Sequence, residues 1–166
     1  MKPRRSFEAG HLRKFLLIVD DSTEVESALY YAASRVQRAS GIIVMLYIIE
    51  PGEFTHWKGV RERQIEEATA TAKALFRLVR RKLNQSGFES VVTEEAIREG
   101  VKSEQILQAI NEDDDIAIMV LGASTDVKGP GPLVASLAAG KQAGSFPIPI
   151  TIVPGNLALE DIKALA

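Results

Sequence analysis

The chain has 166 residues, 46% hydrophobic and 25% charged, a size and balance that fit one globular domain with its own core and set aside general disorder and fibrous classes. It contains no cysteine, which excludes disulfide frameworks, thiol catalysis and cysteine-ligated metals and fits a reducing cytoplasm. The formal net charge is −2 with both signs interspersed, so no broad basic surface offers itself to nucleic acid.

Residues 1–14 carry Lys2, Arg4, Arg5, Arg13 and Lys14 ahead of the first apolar run and read as a basic N-terminal tail. That run, Phe15 to Val19, passes at once into Asp20 and Asp21, which does not suit a secretory signal. The longest apolar stretches, such as Ile42 to Ile49, fall far short of the roughly 20 residues that span a bilayer, so no membrane contact is expected. Phe15 to Val19 instead has the continuous apolar character of a strand buried on both faces. Thr23 and Glu26 stand at capping-box spacing, and Val25, Ala28, Leu29, Ala32, Val36 and Ala39 share one helical face that Gly41 ends. Ile42 to Ile49 is a second buried strand, closed by Glu50, Pro51 and Gly52.

A long helical pattern follows from about Val60 to Ser86, without Pro or Gly, and Gly87 stands beyond its end. Phe88 to Ile97 predicts a third, more exposed strand. Gly100 turns the chain into a helix capped by Ser103, whose buried face carries Ile106, Leu107 and Ile110. Asp113, Asp114 and Asp115 read as a solvated turn before a fourth strand, Ile116 to Leu121. Gly122 to Val134 is a loop of small residues, Gly and Pro, leading to a short helix over Ala135 to Gln142 and a fifth strand over Pro149 to Val153. Asn156 to Ala166 reads as a tail of one or two loose helical turns. Strands alternating with helices predict an α/β domain of three layers, α/β/α, around a five-stranded, mostly parallel sheet, because parallel strands need crossover connections.

Candidate chemistry is sparse. His11 and His56 have no ligand-spaced companions, so no metal site is expected. A Gly-x-Ser-x-Gly nucleophile turn, a Gly-x-Gly-x-x-Gly fingerprint and a phosphate-loop lysine motif are all missing, so no catalytic residue can be assigned and any nucleotide must be held in another way. The acidic pair Asp20 and Asp21 lies at the carboxyl end of the first strand, where α/β sheets place ligands; its plainer role is to cap the first helix. The same pair suggests a phosphorylated receiver domain, but the aspartate after the third strand and the Lys-Pro after the fifth that a receiver needs are not present. Trp57, with Phe54 and His56, lies in the loop after the second strand, where it can serve as a lid over a ligand or, more plainly, cover the sheet edge.

Four stretches resemble the universal stress protein family: Leu17-Ile18-Val19-Asp20-Asp21-Ser22 with the Ala-rich helix after it; Ile43 to Glu50; Glu99 to Ile106; and Ile118-Met119-Val120-Leu121-Gly122. The resemblance covers about Phe15 to Val153 and implies a domain over 15–154, with 155–166 as a C-terminal tail and strand order 3-2-1-4-5. It further implies an adenine nucleotide, ATP or AMP, at the carboxyl ends of the first and fourth strands, with Mg²⁺ only if ATP is bound. Asp20 would meet the ribose or adenine, the backbone of Ile48 the adenine edge, and Gly122, Thr125, Ala135 and Ser136 the phosphates. These last four match the family's Gly, two residues, Gly, nine residues, Gly, Ser or Thr pattern, with Thr125 and Ala135 standing where glycines are usual. The resemblance also implies a homodimer through the fifth strand, and a small stress-response or signalling module rather than an enzyme. The alternative is an interaction protein of the same fold that acts through its dimer surface without nucleotide.

Overall fold

The computed structural model describes residues 2–52 and 58–166. Five strands, β1 (Lys14–Ile18), β2 (Ile42–Ile49), β3 (Val92–Glu99), β4 (Ile116–Ala123) and β5 (Ile150–Pro154), form one sheet in the order β3-β2-β1-β4-β5. All four pairings are parallel. Helices α1 (Val25–Ala39), α2 (Lys58–Gln85), α3 (Lys102–Glu112) and α4 (Leu159–Leu165) complete the chain. Among the described residues no helix is long and apolar enough to cross a membrane.

The period-two geometry of a strand explains why the chain is apolar at every position from Phe15 to Val19. Phe15, Leu17 and Val19 enter a core shared with α1, α2 and α4, through Leu29, Phe76, Val79 and Ile162, whereas Leu16 and Ile18 enter a second core beneath α3, through Ile106 and Ile110. Both faces of the central strand are therefore dry, as a parallel sheet requires. β3 buries no residue, in keeping with its polar sequence at one edge of the sheet.

Several details differ from the sequence reading. The capping box does not form: α1 begins at Val25, its N-cap Glu24 has no side-chain hydrogen bond, and the Glu26 N–H donates instead to the Thr23 carbonyl at 3.3 Å. Val101, not Ser103, precedes α3 as its N-cap. The helix expected over Ala135 to Gln142 is a five-residue π turn, Val134–Ala138, closed by the Ala139 N–H on the Val134 carbonyl at 3.1 Å, followed by a 3-10 turn over Ala143–Ser145. Gly140, Gly144, Pro147 and Pro149 interrupt any longer helix.

Both terminal segments are docked. Arg4 donates to the carbonyls of Ile110 at 2.7 Å and Asp113 at 3.1 Å, at the end of α3. The acidic run is no mere solvated turn: Lys14 donates to Asp113 at 2.8 Å, and His11 Nδ1 lies 2.6 Å from Asp115 Oδ1. At the other end, α4 lies against α1, with Ile162 buried and Arg38 donating to the Lys163 carbonyl at 2.9 Å.

Candidate functional site

The carboxyl ends of β1 and β4 flank the point where the chain order reverses, because β1 leads outward to β2 and β4 leads the opposite way to β5. Such a switch point leaves a crevice between two diverging βα turns. The first turn is fixed by Asp20: its Oδ1 accepts the Ser22 N–H at 2.8 Å and the Ser22 hydroxyl as well. Both bonds fall on one carboxylate oxygen, so Asp20 is held in place with Oδ2 outside this turn. Its hydrogen bonds thus close the turn rather than cap α1. Asp21 is exposed.

Across the crevice, Gly122 passes so close to the first turn that a Cβ there would lie 2.0 Å from the Glu24 carbonyl oxygen. The chain then forms a loop folded on itself. The N–H groups of Ser124, Asp126, Lys128 and Gly129 donate, in turn, to the Pro130 carbonyl, the Ser124 hydroxyl, Asp126 Oδ1 and the Asp126 carbonyl, all at 3.0–3.1 Å. Pro130 and Pro132 have no N–H to offer. A Cβ on Gly131 would lie 3.7 Å from a Glu24 carboxylate oxygen, which places that carboxylate against the loop.

Two adjoining hollows result. One, of about 50 Å³, lies between β1 and β4 and is lined by Asp20, Glu24, Gly122, Pro130 and Pro132. The other, of about 190 Å³, lies over β1 and β2 and is lined by Asp20, Asp21, Tyr47, Ile48 and Thr71. Ile18, Asp20 and Lys102 border both. Lys102, the first residue of α3, holds its ammonium 3.9 Å from Glu50 Oε1.

The structure therefore gathers Asp20, Ile48 and Gly122 around one crevice. Thr125 and Ala135 are exposed and border neither hollow, while Ser136 faces a separate hollow of about 510 Å³ beside Ser103 and Phe146. Neither Thr125 nor Ala135 has a positive φ, so a side chain there meets no left-handed backbone. Phe54, His56 and Trp57 lie outside the described residues. Lys102 and Glu24 escaped the sequence reading; the signal for Lys102 was its place just after Gly100, where the third crossover starts its helix. Among the described residues no group of three or more His, Cys, Asp or Glu is placed to hold a metal ion.

A sequence model described as "Universal stress protein family" matches residues 11–154. The chain belongs to the universal stress protein family. Solved structures share the fold at low identity. Universal stress protein UspA from Lactobacillus plantarum superposes with a TM-score of 0.67 at 17% identity, over 85% of this chain and 97% of that one. A universal stress protein from Archaeoglobus fulgidus in complex with dAMP gives 0.57 at 17%, over 85% and 97%. A universal stress protein in complex with cAMP gives 0.58 at 14%, over 87% and 98%. Comparison with curated protein sequences returns no match. At these identities the superpositions establish the fold, and the residues that set ligand choice have to be argued from this chain itself.

Proposed function

We propose that this universal stress protein is a small stress-response or signalling module that binds an adenine nucleotide in the crevice above β1, β2 and β4. The observation that carries the reading is the convergence of Asp20, Ile48 and Gly122 on adjoining hollows at the switch point. In this reading the adenine lies over β2 with its edge toward the Ile48 backbone, Asp20 accepts hydrogen bonds from the ribose hydroxyls, and the phosphate end points toward Gly122. The dAMP and cAMP complexes among structures of the same fold support it. In this reading the role is binding rather than turnover, and Mg²⁺ enters only as the companion of bound ATP.

Equilibrium dialysis of nucleotide-stripped protein against ATP and AMP tests the reading. Binding below millimolar concentration is the expected outcome, and failure of both ligands would overturn it.

A second reading rests on the loop after β4. Four of its N–H groups are turned inward and two of its residues are prolines, which favours a member of the family that acts through protein contacts alone. The absorbance ratio and mass of freshly purified protein separate the two: co-purified adenine nucleotide supports the first, and nucleotide-free protein in high yield supports the second. A homodimer through β5 belongs to both readings.

A further inference from the structure

We infer that the crevice is built for an adenine nucleotide with a single phosphate and discriminates against the triphosphate, with Lys102 as the phosphate contact and Glu24 as the discriminating charge. This rests on the adenine-nucleotide reading above and narrows it to a ligand class. Three independent features of the chain converge on it.

The first is the supply of backbone donors. A polyphosphate tail is usually wrapped by free N–H groups of a glycine-rich loop and a helix start. Here four N–H groups between residues 124 and 129 are consumed inside the loop, and Pro130 and Pro132 have none. With only Thr125 and Val127 of that stretch keeping an N–H outside these bonds, the loop offers a phosphate chain few donors.

The second feature is space. On the β4 side, where a phosphate tail would extend, the hollow measures about 50 Å³, against about 190 Å³ on the β2 side. A buried water needs roughly 10–15 Å³ by this kind of measure, so the β4 side holds a few waters. A chain of three phosphoryl groups would have to leave this hollow for solvent, where the crevice no longer holds it.

Charge is the third. Among the described residues bordering the two hollows, Lys102 is the one cation, and it borders both. Its counter-charge, Glu50, is more than half exposed and 3.9 Å away, so the ammonium is loosely paired and can turn to a phosphate beside Asp20. Glu24 borders only the β4-side hollow, toward which the phosphate end points, and its carboxylate rests against Gly131. Like charges at short range in a partly buried crevice repel more strongly than in water. One phosphate thus meets Lys102, and a second or third would meet Glu24 and the prolines.

Calorimetric titration of nucleotide-stripped protein with adenosine, AMP and Mg²⁺-ATP tests the assignment. AMP is expected to bind about tenfold more tightly than adenosine, the scale of one charge-assisted contact, and more tightly than ATP. Lys102→Ala should bring AMP down to the affinity of adenosine while leaving adenosine unchanged, which a merely structural role would not do; Lys102→Arg should keep the preference. Glu24→Gln should narrow the gap between AMP and ATP several-fold. ATP binding as tightly as AMP, or an unchanged ratio of AMP to adenosine affinity in Lys102→Ala, would overturn this inference and leave the adenine-nucleotide reading standing. No binding of any of the three ligands would overturn both.

Discussion

A Cβ on Gly122 would sit 2.0 Å from the Glu24 carbonyl oxygen, and the obstacle is backbone that cannot swing aside. The glycine is thus demanded by the close approach of β4 to the first βα turn, with or without a ligand. Gly122→Ala must push the two apart, and overpacking of this kind costs about 3 kcal/mol; a lowered urea midpoint with an unchanged slope is the expected result. That Asp20 and Gly122 stand at the ends of apolar strands was legible from hydropathy, and the structure places both beside the crevice. Glu24 and Lys102 were not legible. They come together because two turns far apart in sequence meet over β1, and no local pattern records such a meeting. Thr125 and Ala135 match a phosphate-binding pattern by spacing, and the structure leaves both exposed and outside the two hollows.

At the scale of elements, hydropathy predicted every strand, because dry strands and their crossovers leave long, regular signals. What it missed were the polar contacts that dock the ends. Asn156 to Ala166 looked like a tail because it is short, yet Ile162 is 1% exposed in the α1 core, with Leu157 and Leu159 packed beside it. Ile162→Ala should cost about 3 kcal/mol, typical for truncating a buried aliphatic side chain, measurable by chemical denaturation. The N-terminal clamp predicts a pH dependence. Burial lowers the pKa of Lys14, but its hydrogen bonds to Asp113 and Glu94 outweigh that and raise it above the ordinary 10.5. A raised pKa stabilises the folded state fully below the ordinary value, and that contribution disappears as pH rises through the folded value. Lys14→Met should therefore show a constant stability deficit between about pH 7 and 10 that shrinks at higher pH. A deficit independent of pH up to the alkaline limit would refute the clamp.

For the whole molecule, the two edges of the sheet differ in a way that bears on assembly. β3 presents Glu94, Glu95, Arg98 and Glu99 along one edge, and charges of this kind discourage strand pairing. β5, Ile-Thr-Ile-Val-Pro, closes the other edge with Ile152 43% exposed. Its sequence carries no charge, and Pro154 removes a donor only at its last position. The C-terminal segment packs on α1. An uncharged edge strand left open is a liability for uncontrolled pairing. A two-fold axis beside β5 would cover both copies with one self-complementary surface, the commonest symmetry among soluble oligomers. Sedimentation equilibrium at micromolar concentration should accordingly give a dimer, with or without nucleotide. Ile152→Lys places a charge in the middle of the shared edge and should yield monomer or aggregate, whereas the same substitution on the opposite edge, Val92→Lys, should leave the dimer intact. A monomeric parent protein, or a dimer indifferent to Ile152→Lys, would rule out pairing through β5.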